Sequence, residues 1–353
     1  MVRFIKVCVL GALLTGCAKN VEQGQQYLDG QFEEMLNPVT EINTALSLKE
    51  TEAFLAQSEL VLSRSPSMAK QYAELYEMVN AWLTTGGHID ALPYVNLDLK
   101  QLGGSDGYGN VLMTGYFSPV IELRHQPDST YQYPLYANPQ CGDNCPSRAE
   151  IYWGALDGQG LELGYSADPL ANFMMEVQGS GFVHFGDDDQ LQYFAYSGKN
   201  NHPYSSIGRV LIERGEVPAE QMSLEAITLW ASQQDEASVF ELMEQNASYV
   251  FFKANDALDV IGSAGIPLLA EASVAADRDY IPMGSVLLVE VPLLTETGLW
   301  TGEHELRLVV ALDTGGAVKR NHLDLYHGMG SDAGRKAGHY KHFGRVWTLG
   351  LAQ

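Results

Sequence analysis

The chain has 353 residues, 46% of them hydrophobic, and a formal net charge of −23. That length exceeds what one hydrophobic core usually serves, so two domains are expected, and the apolar content excludes global disorder. A surface this acidic repels nucleic acid and anionic lipid headgroups, which leaves neutral or mixed-charge ligands.

The first segment reads as an address. Arg3 and Lys6 are followed by an apolar run over residues 7–14 and then by Leu14-Thr15-Gly16-Cys17. A charged start, a short apolar core and small residues before a cut describe a secretory signal over residues 1–16. The run is too short to span a bilayer as a helix, which takes about 20 residues. A cysteine directly after Leu-Thr-Gly resembles the bacterial lipobox, which implies that Cys17 is acylated and begins the mature protein. Ala18 behind it, rather than aspartate, implies sorting to the outer membrane, with the protein facing the periplasm. Loss of Arg3 and Lys6 makes the mature chain more acidic still, so the lipid, not surface charge, would hold the membrane. Of the remaining cysteines, Cys8 leaves with the signal, and Cys141 and Cys145 bracket a Cys-Gly-Asp-Asn-Cys loop. An oxidising compartment favours a disulfide there, and the spacing is one residue too long for a C-x-x-C redox pair.

From residue 21 to about residue 102 the pattern is mostly helical. Met68, Tyr72, Leu75, Val79 and Trp82 recur at helical spacing, and Gly86-Gly87 ends the run. After the loop Gly103-Gly104-Ser105-Asp106-Gly107, short strands are expected at 111–117, 120–123, 131–136, 150–153, 173–177 and 192–196, separated by Gly, Pro, Asn and Asp. A helical island covers 207–245, with Ser223 as an N-cap and Glu225 in the first turn. Strands return at 249–252, 268–275, 286–291, 306–312 and 323–326. Residues 286–289 are apolar at every position and should be buried on both faces.

Chemistry concentrates in the last hundred residues. Asp313 ends an apolar strand in Ala311-Leu312-Asp313-Thr314-Gly315-Gly316, and Asp324 is flanked by Leu323 and Leu325. A carboxylate beside apolar neighbours costs free energy unless it is hydrogen-bonded or protonated, so both are candidates for a shifted pKa. A turn at Gly315-Gly316 would fold the two strands side by side and bring the carboxylates together.

Three segments, Ala275-Ala276-Asp277 with Ile281-Pro282-Met283-Gly284, Ala311 to Lys319, and His322-Leu323-Asp324-Leu325-Tyr326, resemble the three-aspartate domain, a six-stranded double-psi β-barrel. The wider chain resembles the membrane-bound lytic murein transglycosylase A family. The likeness runs through Thr114-Gly115-Tyr116-Phe117-Ser118-Pro119-Val120, Pro146-Ser147-Arg148-Ala149-Glu150-Ile151-Tyr152, Val177-Gln178-Gly179-Ser180-Gly181, Tyr196-Ser197-Gly198-Lys199-Asn200 and Gly344-Arg345-Val346-Trp347. It implies a mainly β fold with helices. The double-psi barrel would form from residues 17–120 and 256–353, with N-terminal helices. A second β domain with a helical segment would be inserted at 121–255, leaving a groove between the two.

The same resemblance implies a peptidoglycan lytic transglycosylase. Asp324 matches the catalytic residue, and Asp313 matches a neighbour thought to assist it. Such an enzyme breaks the β-1,4 bond between N-acetylmuramic acid and N-acetylglucosamine and leaves a 1,6-anhydromuramyl end. One carboxyl suffices if burial keeps it protonated near neutral pH, and no metal or cofactor is needed. Thr114, Tyr116, Gln178, Gly179, Ser180, Tyr204 and Tyr326 are the candidate glycan contacts; aromatics in a β domain are, however, more often core. Asp277 is expected to hold a barrel loop. The partners implied are glycan strands, the membrane through the lipid, and cell-wall synthesis or division complexes. One departure is that Lys319-Arg320-Asn321 stands where glycine is common after the lysine.

Two readings from other classes are weaker. Asp313-Thr314-Gly315 copies the aspartic protease triplet, but those enzymes need two such aspartates sharing a proton. A non-catalytic glycan-binding lipoprotein would not require an acid at position 324. His322, His327, His339 and His342 match no common zinc spacing.

Overall fold

The structure, a computed structural model, describes Tyr27 and residues 30–186 and 190–352. The signal segment and Cys17 lie outside the described residues. Among those described, no helix is long and apolar enough to cross a membrane.

The chain enters one sheet, leaves it for a second, and returns. Strands β1 (Leu36–Val39), β2 (Leu48–Lys49), β3 (Leu97–Leu102) and β4 (Val111–Ser118) come first, with helices α1 (Thr51–Arg64) and α2 (Pro66–Thr84) between β2 and β3. The second sheet takes β5 (Val120–Arg124), β6 (Tyr133–Tyr136), β7 (Glu162–Ser166), β8 (Gly181–Phe185), β9 (Gln192–Lys199) and β10 (Val250–Asn255). Its helices are α3 (Arg148–Tyr152), α4 (Pro169–Gln178), α5 (Ile207–Glu213), α6 (Leu224–Ser232) and α7 (Glu236–Glu244). The return supplies β11 (Ser273–Ala275), β12 (Val286–Leu294), β13 (Trp300–Asp313), β14 (His322–Met329), α8 (Gly330–His339), β15 (Lys341–Gly344) and β16 (Val346–Leu351).

The ten-stranded first sheet runs β1-β3-β16-β12-β13-β11-β14-β4-β15, with β2 beside β13, and curls into a nearly closed barrel. Strand β12 shows why it closes. Val286 and Leu288 face the core under α1 and α2, with Phe54, Val79, Trp82 and Trp347. Leu287, Val289 and Val291 face the barrel interior, with Val274, Val309, Leu323 and Val346. Alternate residues thus serve two cores, as period-two geometry requires, and each buried side chain contributes about 1.5–3 kcal/mol. The one charge in the run, Glu290, is fully buried and is held by Arg345 at 2.6 and 2.9 Å, where β12 meets the β15–β16 corner.

Several expected elements differ. Residues 150–153 are not a strand but part of α3, which starts with a capping box between Ser147 and Glu150. Residues 173–177 belong to α4. There Asp168 accepts from the Leu170 amide, Pro169 takes the first turn, and Gly179 closes the helix at φ 84°. The apolar run in between suits either element, so the Asp-Pro and Gly punctuation decides it. The N-terminal region holds β1 and β3 as well as helices. Ser223 does cap α6, accepting from the Ala226 amide.

Candidate active site

The two aspartates sit in one row across the barrel wall. Asp313 on β13 is opposite Ala275 on β11, Ala275 is opposite Asp324 on β14, Asp324 is opposite Thr114 on β4, and Thr114 is opposite Lys341 on β15. The Gly315-Gly316 turn therefore does not lay β13 beside β14, because β11 comes between them. Two strand spacings separate the aspartate backbones by roughly 10 Å. The only side chain between them in the row is the methyl group of Ala275, so the carboxylates feel each other across it.

Their surroundings differ sharply. Asp313 is tied on both oxygens: Oδ1 accepts from the backbone amides of Ser263 and Thr314 at 2.9 Å, and Oδ2 accepts from the Tyr116 hydroxyl at 3.0 Å. Asp324 makes one hydrogen bond, in which Oδ1 accepts from the Thr114 hydroxyl at 2.7 Å. No protein donor among the described residues reaches its Oδ2. Burial pushes the Asp324 carboxyl up to about 7; Thr114 opposes the rise and the charge of Asp313 adds to it. A carboxyl poised near neutrality can give a proton and take one back.

The rest of the row is shaped by small residues and loop ties. A Cβ on Gly115 would lie 2.6 Å from His327 and 2.8 Å from the Ala337 backbone, so only glycine lets α8 lie against β4 here. Asp277 accepts from the Arg320 amide at 2.9 Å and from the Asp279 amide at 3.3 Å, fixing the loop before β14. Arg320 itself is left-handed at φ 54°, a conformation that glycine adopts without strain.

Of the candidate glycan contacts, Thr114 and Tyr116 stand in or beside the row. Gln178 lies at the end of α4, where its Oε1 accepts from the Phe117 amide at 3.1 Å and ties the second sheet to β4. Gly179 and Ser180 follow it, and Ser180 bonds Tyr193. Tyr204 is half exposed in the chain segment before α5. Tyr326 is the exception. It is 3% exposed, its hydroxyl meets Ser118 at 3.0 Å and its ring packs on Tyr116, so it supports the site from beneath and offers a sugar almost no surface. Among the described residues no group of His, Cys, Asp and Glu could hold a metal ion. His322 escaped the sequence reading as a site residue: its Nε2 lies 2.7 Å from the Thr114 hydroxyl. Its position two residues before Asp324 on a strand, hence on the same face, was the available signal.

Comparison with known proteins decides what this geometry belongs to. Residues 141–253 match the MltA specific insert domain, and residues 272–350 match the 3D domain. The membrane-bound lytic murein transglycosylase A of Vibrio cholerae is 60% identical over 341 residues, covering 96% of this chain and 92% of that protein. The chain belongs to the membrane-bound lytic murein transglycosylase A family. The Escherichia coli K12 member is 45% identical over 354 residues, covering 99% of this chain and 97% of its own length. The crystal structure of E. coli MltA with bound chitohexaose superposes with a TM-score of 0.91 at 44% identity, covering 95% of this chain and 100% of that one. The chain is thus a peptidoglycan-cleaving lytic transglycosylase with the mainly β fold of that family.

Proposed function

We propose that this enzyme breaks the β-1,4 bond between N-acetylmuramic acid and N-acetylglucosamine without water, with Asp324 acting first as acid and then as base. The observation that carries the reading is the contrast between the two carboxyls. Asp313 has both oxygens engaged by three donors, whereas Asp324 keeps one oxygen free and a pKa near neutrality. Protonated Asp324 gives its proton to the glycosidic oxygen as the C1–O bond breaks, and an oxocarbenium-like centre forms on the muramyl ring. The carboxylate then takes the proton of the muramyl C6 hydroxyl, whose oxygen closes on C1. The acid is restored and the product is a 1,6-anhydromuramyl end.

A hydrolase of the usual kind needs a second carboxyl to activate water or form a covalent bond. Asp313, tied down by three donors, is poorly placed for either task. The C6 hydroxyl is tethered to the reacting ring, so its effective concentration far exceeds that of a free solute. Glycan binding is supported by the E. coli relative, whose crystal structure holds bound chitohexaose. Mass spectrometry of a murein digest tests the reading: the expected products are non-reducing anhydro ends, one water lighter than hydrolytic ones. Mainly reducing muramyl ends would show a muramidase instead.

The second part of the proposal is the address. Cys17 carries lipid at the outer membrane, facing the periplasm, which the Leu-Thr-Gly-Cys sequence and Ala18 support. Cys17→Ser is expected to release an active soluble protein; retention of that variant in membranes would contradict the lipid anchor.

A further inference from the structure

The Thr114 hydroxyl has a single hydrogen and two close neighbours that want it. Asp324 Oδ1 lies 2.7 Å away on one side and His322 Nε2 lies 2.7 Å away on the other. The far ring nitrogen of His322, Nδ1, faces the backbone oxygen of Ala317 at 3.2 Å. A carbonyl can only accept, so Nδ1 carries a hydrogen. Burial also holds the imidazole below its ordinary pKa, which favours the neutral ring. With Nδ1 protonated and the ring neutral, Nε2 is an acceptor.

These constraints leave one fully bonded arrangement for a neutral ring. Asp324 donates to the Thr114 oxygen, Thr114 donates to His322 Nε2, and His322 Nδ1–H donates to Ala317. It requires Asp324 to be protonated. When Asp324 is ionised, the hydroxyl must turn to the carboxylate and His322 Nε2 is left without its donor. We propose that His322 is a positioning residue of the transglycosylase reaction, and that it holds Asp324 in its proton-bearing form through the rotating hydroxyl of Thr114. The inference rests on Asp324 being the acid.

The balance of protons is simple. His322 neither gains nor loses one; the carboxyl proton goes to the glycosidic oxygen, and the C6 hydroxyl proton restores it. A half-turn of the carboxyl about its Cβ–Cγ bond, a soft two-fold torsion, presents the protonated oxygen to the glycan. As the proton leaves, the Thr114 hydroxyl swings from His322 to the nascent carboxylate and stabilises it. The other titratable or charged groups around the pair are Asp313 across Ala275, Tyr116 bonded to Asp313, Lys341 opposite Thr114, and Lys319 and Arg320 in the loop before His322. None of these bonds to the Thr114 hydroxyl.

The test is the pH profile of turnover on purified murein, using the mature protein and the variants His322→Phe, Thr114→Val and their combination. In His322→Phe the alkaline limb is expected to move down by about one pH unit, so turnover falls about tenfold at pH 7.5 but stays within about twofold at pH 5. In a Thr114→Val background, adding His322→Phe should not move the limb further, because the link is already cut. A uniform loss at every pH, or shifts that add, would overturn the proposal. Nitrogen-15 NMR of the wild-type imidazole gives an independent reading, with His322 identified from His322→Phe or His322→Gln. The neutral Nδ1–H tautomer is expected at pH 6, and an Nε2–H tautomer would overturn the relay. Asp324→Asn in the same panel separates the two levels: an active variant would sink the parent assignment, whereas an inactive one beside an unmoved His322→Phe limb would sink the relay alone.

Discussion

The barrel wall partly buries one carboxyl group, α4 beside the second sheet fully buries another, and the two are treated in opposite ways. Burial pushes Glu176 of α4 up to about 7, as it does Asp324, while the Arg148 guanidinium pulls Glu176 back. Arg148 sits 2.7 Å from it, both side chains are 1% exposed, and the guanidinium also donates to the backbone oxygens of Asn246 and Ser248 and to the Tyr152 hydroxyl. That pair is shut away from solvent and ties α3 and α4 to the segment before β10. Asp324 has no cation within its hydrogen bonds, only a hydroxyl, and keeps an oxygen free. Burial raises a carboxyl in either place. A free oxygen and a neutral partner make the raised carboxyl usable as an acid; a buried cation makes it a bolt.

Breaking each carboxyl's environment sharpens this contrast. The largest effect is expected from Asp324→Asn, with turnover falling by at least about a thousandfold in a murein-release assay, since the amide can neither give nor take the proton. The same change should raise stability. The folded pKa of about 7 lies above the ordinary 3.8, so between those values the native state binds a proton that the unfolded chain has lost. Stability on this account is full below about pH 4 and falls as pH rises to about 7. Thermal unfolding should therefore find Asp324→Asn more stable by about 4 kcal/mol at pH 8 and nearly unchanged near pH 4.

Arg148→Met comes next. It leaves Glu176 buried without its cation and should cost about 3–5 kcal/mol in denaturant unfolding, whereas Arg148→Met with Glu176→Met should recover most of the loss. Equal costs for the single and double variants would show that the pair is not the anchor.

Acidity gives a smaller effect. Wild-type turnover should fall roughly tenfold per pH unit above about 7, as Asp324 ionises before it meets the glycan. Asp313→Asn removes the charge that helps raise Asp324, so its alkaline limb should lie lower, with a few-fold loss of turnover near pH 8 and little change at pH 5. A limb that stays in place would assign Asp313 to fixing the 263 and 314 backbone alone. The smallest change is Arg320→Gly, which relieves a left-handed arginine in the loop before β14. Its melting curve should show about 1 kcal/mol of added stability with turnover near wild type.

The sequence by itself determined the elements whose signals are local, together with the family. The 3.6-residue spacing that marks α2, the Ser223 cap, the double-faced burial of β12 and the Cys141–Cys145 pair, which is joined here, were all legible because each depends on residues a few positions apart. The motifs around Asp313 and Asp324 were legible as well, and the family resemblance they carried singled out Asp324 as the candidate acid. Residues 150–153 and 173–177 misread as strands because short apolar runs suit either period, and only their caps distinguish them. Tertiary structure alone decided the site. It put β11 between the two aspartate strands, so that the carboxylates meet across Ala275 rather than around a turn. It sank Tyr326 beneath Tyr116, and it brought Thr114, distant in sequence, between His322 and Asp324. Parallel pairing of β4 with β14 does this, and no local pattern encodes which strands will pair, because the free energy that selects the register comes from burying both faces of the assembled barrel.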